Sequence, residues 1–435
     1  MIVPPAPTFA EALRWWFKLG CISFGGPAGQ IAIMHRELVE TRRWISEKRF
    51  LHALNYCMLL PGPEAQQLAT YIGWLMHGVR GGVAAGALFV LPSLIVLIGL
   101  SWAYMSAGAE LAADALYGIR PAVVAIVAFA AWRIGSKVLR QRLLWIVPLA
   151  SFAAIYLRIP FPAVIAAAAL YGWLLRRRLA DSAAHAASSA GYGPALIDDH
   201  TPTPPHAYFS GPRLVVMGLV GLLLAGTAYA LVAAVYGFDS RFNAMGLFFT
   251  KAALVTFGGA YAVMPYVFQG AVMTHGWLSA TQMMDGLALG ETTPGPLIMV
   301  VAFVGFVGGW NGMPEASLMA GVIGASVATF FTFLPSFVFI FAGAPWVEST
   351  RGNFRLAGPM SAITAAVVGA IVSLAVFFAV HVFWPHGPEG RLDLVALGLA
   401  VAGWVVLWRG WLGMVPLIAV SGVIGAAVRF LPASW

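Results

Sequence analysis

Charged residues are scarce in this chain of 435 residues: Asp, Glu, Lys and Arg make up 10% of it, against roughly 25% in soluble proteins. Hydrophobic residues make up 60%, and the mean hydropathy is +0.84. This composition excludes a soluble globular protein and predicts an all-α polytopic membrane protein. Apolar runs long enough to cross a bilayer recur at 83–104, 214–236, 316–341 and 361–381.

Cysteine is almost absent, with Cys21 and Cys57 as the two examples. Both lie in apolar segments, and neither belongs to a group with metal-ligand spacing, so we predict no disulfide framework, no metal site and no cofactor. A Walker-type phosphate loop and a dinucleotide fingerprint are also missing, which argues against ATP-driven transport and against a redox enzyme.

Basic residues outnumber acidic ones, and the net charge is +8. Because the basic residues lie in short loops between apolar segments, we interpret them as orientation signals of the positive-inside rule and not as a nucleic-acid surface. The first nine residues contain three prolines and no basic residue. This pattern argues against a cleaved signal peptide, and we expect the N terminus in the cytoplasm.

The chain contains an internal repeat. Ser23-Phe24-Gly25-Gly26 returns 233 residues later as Thr256-Phe257-Gly258-Gly259, and at the same offset Pro61-Gly62-Pro63 returns as Pro294-Gly295-Pro296. Lys18 pairs in the same register with Lys251. A duplicated apolar chain whose copies share helix-breaking glycines and prolines is typical of a secondary transporter.

The repeat divides the chain into four parts: a first repeat at 1–178, a cytoplasmic linker at 179–212, a linking transmembrane helix at 213–238 and a second repeat at 239–435. The linker is rich in Ala, Ser, Asp and Pro, which predicts a flexible segment. We predict two re-entrant hairpins of broken helices in each repeat, followed by about four transmembrane helices. In the first repeat the half-helices are expected at 8–24, 28–41, 47–60 and 64–78. At a rise of about 1.5 Å per residue, each is too short for a hydrocarbon core of about 30 Å.

The linking helix predicts that the second repeat is inverted relative to the first, because it adds one odd crossing. Charge placement agrees, since the aligned stretch 269–282 has no Lys or Arg where the first repeat has a basic loop: Arg36, Arg42, Arg43, Lys48 and Arg49. We expect a multi-pass protein of the plasma (inner) membrane, with the linker in the cytoplasm and the C terminus outside.

The glycine and proline breaks predict an anion site. Broken backbone at membrane depth is tolerated only where it lines a cavity or is buried in protein. Pro63 and Pro296 suit the first turn of a half-helix, whose free N–H groups and partial positive charge would then face the break. Inverted repeats would bring the breaks at Pro61, Pro63, Pro294 and Pro296 to one axis. The predicted binding residues are Lys18, Ser23, Gly25, Gly26, Gly62, Lys251, Thr256, Gly258, Gly259 and Gly295. The alternative for the two lysines is that they snorkel to the interface and anchor their helices.

Two carboxylates beside the breaks, Glu64 and Glu291, are candidates for coupling proton movement to anion movement, because a carboxylate next to a dianion repels it unless it is protonated. The alternatives are that Glu64 stabilises its own helix dipole and that Glu291 makes a structural hydrogen bond. Supporting donors for oxyanion oxygens are predicted at Asn55, Gln66, Gln67, Thr292 and Thr293. Such polar residues also join transmembrane helices to one another.

These motifs together resemble the signature of the chromate ion transporter family, over nearly the whole chain except the linker. The first half carries Phe24-Gly25-Gly26-Pro27, Leu60-Pro61-Gly62-Pro63-Glu64-Ala65-Gln66-Gln67 and Leu91-Pro92-Ser93; the second carries Phe257-Gly258-Gly259-Ala260-Tyr261, Glu291-Thr292-Thr293-Pro294-Gly295-Pro296 and Leu334-Pro335-Ser336. The second copy departs from the first in having Ala260 in place of Pro27.

The resemblance implies a two-domain transporter that exports chromate from the cytoplasm and confers chromate resistance, driven by membrane potential, proton coupling or both. Sulfate is the expected competitor, the lipid bilayer is the surrounding partner, and a homodimer stays open. A permease for sulfate or another tetrahedral oxyanion is the nearest alternative. A membrane-embedded enzyme is a remote one, and a structural scaffold leaves the helix breaks without an explanation.

Overall fold

The computed structural model describes residues 4–24, 26–106, 117–139, 141–157, 159–175, 193–199, 201–202, 204–257, 259–312, 317–349, 357–385 and 390–430. In these residues the regular structure is helical, apart from one isolated bridge between Ile45 and Ile197. The all-α prediction is therefore confirmed.

The first repeat consists of seven described helices. They are α1 (Phe9–Ile22), α2 (Gly26–His35), α3 (Glu47–Leu59), α4 (Glu64–Ser106), α5 (Ile119–Val138), α6 (Ile146–Tyr156) and α7 (Phe161–Leu174). Helix α4 is interrupted at His77 and Gly78, whose backbone angles are not helical, so its first part is a half-helix that ends where the sequence predicted.

A long apolar helix, α8 (Gly211–Tyr236), follows the linker, and the second repeat then reproduces the order of the first. Its described helices are α9 (Arg241–Leu254), α10 (Ala260–Phe268), α11 (Ala280–Thr292), α12 (Val300–Trp310), α13 (Leu318–Ser349), α14 (Ala357–Phe383), α15 (Leu394–Arg409) and α16 (Met414–Phe430). Together α12 and α13 correspond to the two parts of α4.

Local chemistry fixes where the half-helices begin. Ser46 and Ser279, which are repeat equivalents, cap α3 and α11 by accepting a hydrogen bond from the third residue of each helix. Thr8 caps α1 with two hydrogen bonds: its hydroxyl accepts from the N–H of Glu11, and its N–H donates to the Glu11 carboxylate. Hydroxyl caps satisfy N–H groups that a helix start otherwise leaves free, so each half-helix is closed independently of its neighbours.

The duplication extends to an unusual backbone feature. Helices α2 and α10 both end in a π-helical turn, Arg36–Thr41 and Gln269–Thr274. The N–H of Trp44 donates to the Leu38 carbonyl at 2.8 Å, and the equivalent N–H of Trp277 donates to the Ala271 carbonyl at 2.8 Å. A π-helical turn is rare, so its occurrence at matching positions reflects a common backbone design.

Five of the described helices have the length and apolar composition of a membrane span, namely 64–106, 119–138, 211–236, 318–348 and 361–383. The last two helices of each repeat are shorter, with 11 and 14 residues in α6 and α7 and 16 and 17 residues in α15 and α16. They fall below the roughly 20 residues that a straight crossing needs, and in this respect they differ from the predicted full spans.

Part of the linker is docked and not flexible, contrary to the prediction for 179–212. Leu196 and Ile197 donate backbone hydrogen bonds to Arg43 and Trp44 at 2.9 and 3.1 Å, and the N–H of Ser46 donates to Ile197 at 2.9 Å. Residues 179–192 lie outside the described part of the chain. The described linker residues, 193–199 and 201–202, therefore attach the linker to the basic loop of the first repeat.

Two large hydrophobic clusters form most of the core, and each contains residues of both repeats. One surrounds the half-helices of the first repeat and includes Ile340 and Val347 from α13. The other surrounds the second repeat and includes Ala122 and Val127 from α5. The repeats therefore exchange helices, which brings their breaks together.

Candidate functional site

The Pro-Gly-Pro break of each repeat is hydrogen-bonded to the Gly-Gly break of the other. The N–H of Gly62 donates to the carbonyl of Thr256 at 2.7 Å, and the N–H of Gly295 donates to the carbonyl of Ser23 at 2.8 Å. A reciprocal contact of this kind is what an approximate two-fold axis produces. The backbone groups that the breaks expose are satisfied inside the protein, as membrane depth requires.

The two central glycines lie against serines of the opposite repeat. Gly62 and Gly295 have φ values of +124° and +105°, which residues with a side chain rarely adopt. A Cβ at Gly62 would collide with the hydroxyl of Ser336, and a Cβ at Gly295 would lie 2.7 Å from Cβ of Ser93. Neither serine was predicted at the site, although the repeated Leu-Pro-Ser motif was a signal for both.

The Gly-Gly breaks also use positive φ angles, +73° at Gly26 and +95° at Gly259. Gly25 and Gly258, which were also predicted to bind substrate, lie outside the described residues. A Cβ at Gly259 would lie 4.0 Å from Oε1 of Glu64. Glu64, the first residue of α4, is therefore next to the Gly-Gly break of the second repeat.

Ser23 and Thr256 are fully buried, but their hydroxyls do not point to a free space. They donate to the carbonyls of Leu19 and Ala252, each at 2.6 Å, within their own helices. Their predicted role as hydroxyl donors to an oxyanion does not match this conformation. Their backbone carbonyls, in contrast, are the acceptors of the two glycine N–H groups.

Three buried glutamines surround the joined breaks. Gln30 donates to the carbonyl of Gly295, Gln67 donates to the carbonyl of Pro61 at 2.8 Å, and Gln66 donates to the hydroxyl of Thr70 at 3.0 Å. All three glutamines belong to the first repeat. Gln66 and Gln67 were predicted here, whereas Gln30 was missed because a lone glutamine in an apolar helix gives no pattern.

Polar atoms in this cluster lack partners among the described residues. They are Oε1 of Gln30, Gln66 and Gln67, and Oγ of Ser93. An unsatisfied buried polar atom costs about 1–3 kcal/mol, so these four atoms are candidates to bind water or a polar ligand. We call Gln30, Gln66, Gln67, Ser93 and Ser336 the glutamine cluster.

The two lysines lie away from this cluster. Lys18 and Lys251 are both exposed. Lys251 lines a surface cavity of about 530 Å³ with Tyr266, Gln269 and His275, and the residues that line this cavity do not include the breaks. This placement favours the alternative in which the lysines anchor their helices.

The carboxylates beside the breaks have different surroundings. Glu291 is buried, with 5% exposure, and accepts a hydrogen bond from the hydroxyl of Tyr261, which also contacts the sulfur of Met414 at 3.6 Å. Glu64 makes no hydrogen bond to another described side chain and is partly exposed. Glu291 therefore has the partner that a structural role needs, whereas Glu64 has no such partner among the described side chains.

The remaining predicted donors are not in the cluster. Thr292 and Thr293 donate to carbonyls of their own helix, Leu289 and Gly290, at 3.0 and 3.1 Å. Asn55 is exposed. These three residues were predicted to donate hydrogen bonds to an oxyanion, and in this conformation none of them belongs to the glutamine cluster.

Two ion pairs with buried carboxylates join the repeats, and neither was predicted from the sequence. Arg49 donates to Glu348 at 3.2 Å, and Arg120 donates to both carboxylate oxygens of Asp285 at 3.0 and 3.2 Å. Both carboxylates are almost completely buried, Glu348 at 5% and Asp285 at 0% exposure. Groups of three or more residues that could hold a metal ion do not occur among the described residues.

Comparison with known proteins gives a family match over both repeats. A family model described as "Chromate transporter" matches residues 10–173 and 243–426. The chain is 34% identical to a "Chromate transport protein" of Pseudomonas aeruginosa, over 97% of this chain and 93% of the relative. It is 29% identical to a "Probable chromate transport protein" of Synechococcus elongatus, over 97% of each chain.

A "Chromate transport protein" of Cupriavidus metallidurans is 28% identical, over 86% of this chain and 84% of the relative. No solved structure matches the chain. The two matched segments lie within the predicted first and second repeats, and the linker and α8 lie between them.

Proposed function

Since this chain belongs to the chromate transporter family, we propose that it exports chromate across the plasma membrane and thereby confers chromate resistance. The membrane location is supported by the apolar spans, and the orientation of the chain by the basic residues of the loop and linker, which the positive-inside rule places in the cytoplasm. We propose that the two repeats have inverted topology, with the N terminus in the cytoplasm and the C terminus outside.

The observation that carries this proposal is the reciprocal contact of the breaks. The N–H groups of Gly62 and Gly295 are held by carbonyls of the other repeat in the described conformation. If the repeats separate slightly, these two N–H groups become donors that point into the same space from opposite sides. A tetrahedral dianion can accept a hydrogen bond from each of these N–H groups, and it would thereby replace the Ser23 and Thr256 carbonyls as their acceptor.

The glutamine cluster supports a polar guest at the same place. The hydroxyls of Ser93 and Ser336 lie against the two glycines, and the start of α4 adds helical N–H groups beside them. The cluster itself carries no positive side chain. A neutral site holds a dianion by hydrogen bonds alone, which keeps binding weak enough for release on the other side.

Export of a dianion needs no ATP site, because a membrane potential that is negative inside drives it outward. For two charges the driving force is about 4.6 kcal/mol per 100 mV. We propose in addition that Glu64 couples transport to protons, since it lies beside the Gly-Gly break of the second repeat. A protonated Glu64 would admit the dianion, and an ionised Glu64 would repel it.

A permease for sulfate is the second candidate, because hydrogen bonds from two glycine N–H groups and two serines fit any tetrahedral oxyanion. Sulfate is therefore proposed as a competitor for chromate at the same site. Transport by purified protein in vesicles, with voltage and pH gradients imposed separately, distinguishes the two functions. Chromate export that responds to voltage and exceeds sulfate transport supports the proposal, whereas equal or faster sulfate transport makes the chain a sulfate permease.

A further inference from the structure

We propose that the two buried ion pairs between the repeats are latches, each closing one mouth of the transport path, and that they open in alternation. The inner latch is Arg49–Glu348, and the outer latch is Arg120–Asp285. The inference rests on the proposed transport function, because it assigns these residues a positioning role in the movement between the two open states.

The two latches have the same composition. In the inner latch, Glu348 binds Arg49 and also accepts a hydrogen bond from the hydroxyl of Tyr71 at 2.5 Å. In the outer latch, Asp285 binds Arg120 and accepts a hydrogen bond from the hydroxyl of Tyr104 at 2.9 Å. Each carboxylate is therefore held by one arginine and one tyrosine of the opposite repeat.

The latches also occupy related positions in the repeats. His52 contacts the carbonyl of Val347 at 3.3 Å, and Tyr104 contacts Asp285. His52 and Asp285 are equivalent in the repeat, and so are Tyr104 and Val347 when the Leu-Pro-Ser motifs are aligned. In both cases a half-helix, α3 or α11, is fastened to the end of a long helix from the other repeat, α13 or α4.

The latches lie on opposite sides of the joined breaks. Helix α3 runs from Glu47 to the break at Pro61 and carries Arg49 in its first turn, and α11 runs from Ala280 to the break at Pro294 and carries Asp285 in its second turn. These breaks meet across the approximate two-fold axis, so α3 and α11 approach it from opposite directions. Arg49 and Asp285 both precede the breaks along these helices, by about three and two turns, and therefore flank the site from its two sides.

Closed latches on both sides describe an occluded state. Movement of one repeat against the other, as in other transporters built from repeats, must separate the helices at one end while the other end stays closed. An ion pair with a buried carboxylate suits this task, because separating its partners leaves a buried charge without compensation. Removing the charge of one carboxylate should shift the population towards the state that is open on that side.

Cys57 provides a native reporter for the inner mouth. It is fully buried on α3 and belongs to the same hydrophobic cluster as Tyr71 and Val347. In a Cys21→Ala background, a membrane-impermeant maleimide applied from the cytoplasmic side measures how often α3 and α13 separate. Glu348→Gln should increase the labelling rate of Cys57 by about tenfold, which corresponds to a shift of about 1.4 kcal/mol.

Asp285→Asn should have the opposite effect and reduce the labelling rate, because weakening the outer latch favours the state in which the inner mouth is closed. Asp239→Asn is the matched control, since Asp239 is exposed, and it should leave the rate unchanged. If either amide variant fails to fold, Tyr71→Phe and Tyr104→Phe remove one hydrogen bond from each latch and should change the rate in the same two directions, with smaller amplitude.

Equal directions for Glu348→Gln and Asp285→Asn, or no change in either, would overturn the latch proposal, because a general loss of stability raises labelling in both. The measurement uses no chromate. If Glu348→Gln raises and Asp285→Asn lowers the labelling rate in a protein that does not transport chromate, the latch proposal holds and the proposed substrate is wrong. If the protein transports chromate but the labelling rate changes in the same direction in both variants, the latch proposal is wrong and the proposed substrate stands.

Discussion

The two repeats share a backbone but differ in the residues that follow their Pro-Gly-Pro breaks. In the first repeat these are Glu64, Gln66, Gln67 and Thr70, and the equivalent positions in the second are Leu297, Met299, Val300 and Phe303. The latter four are buried in the larger hydrophobic cluster. Duplication has therefore preserved the geometry that joins the repeats, while the polar side chains that follow the break are found in the first repeat only.

The largest expected effect tests the shared geometry. Gly62→Ala and Gly295→Ala should each reduce chromate transport by roughly tenfold or more, because a Cβ meets a serine of the other repeat and the backbone angle is unfavourable for alanine. Gly99→Ala is the control, since a Cβ there meets nothing within 4 Å. If one glycine tolerates alanine and the other does not, the two breaks do not have the same role in transport.

The next effect tests the difference in side chains. Gln67→Met should reduce transport by about tenfold, which is the order expected when a hydrogen-bonding group at a binding site is lost. Val300→Met, at the equivalent position of the second repeat, should keep most of the transport rate and change the melting temperature instead. Transport by vesicles and thermal unfolding, measured on the same preparations, separate the two outcomes. An equal loss of transport in both variants would show that the polar side chain at Gln67 contributes no more to transport than Val300 does.

The carboxylates provide a third comparison. Glu64→Gln should flatten the dependence of transport on pH, because a residue that can gain and lose a proton at the break is removed. Glu291→Gln should keep the pH profile, since an amide oxygen still accepts the Tyr261 hydroxyl, and should lower stability by about 1 kcal/mol. The reverse assignment, with a flat profile in Glu291→Gln alone, would move the coupling role to the second repeat.

The smallest effect concerns the docked linker, which has no counterpart in the second repeat. Asp199 accepts a hydrogen bond from the Ser46 hydroxyl at 2.7 Å and lies 3.9 Å from the ammonium of Lys48. Asp199→Asn should change transport by less than about twofold, because partly exposed pairs contribute about 0–1 kcal/mol. A loss of tenfold would show that the linker takes part in the transport cycle.

The sequence predicted the parts of the structure that depend on neighbouring residues. The half-helix expected at 47–60 is Glu47–Leu59, and the one expected at 64–78 is interrupted at His77 and Gly78. Serine caps, glycines with positive φ and prolines next to helix starts act within a few residues, so their consequences are visible in the chain. Pro63 and Pro296 lie one residue before their helices, and not in the first turns as predicted. The repeat then transfers each prediction to the second half.

Contacts between distant residues could not be predicted in the same way. Arg49 and Glu348 are 299 residues apart, and neither position indicates the other. The linker was interpreted as flexible from its Ala, Ser, Asp and Pro content, yet Ile197 pairs with Ile45. The direction of the Ser23 hydroxyl was also out of reach, because a buried hydroxyl chooses between its own helix and a guest according to the packing around it.

The reciprocal contact of the breaks also constrains how the protein is made. The carbonyl that accepts the Gly62 N–H belongs to Thr256, which leaves the ribosome roughly 190 residues later, after about 10–40 s of synthesis. Until then the nascent first half carries an open break in the bilayer, which only water, lipid head groups or the insertion machinery can satisfy. Its folding is therefore completed only after the second half has been inserted.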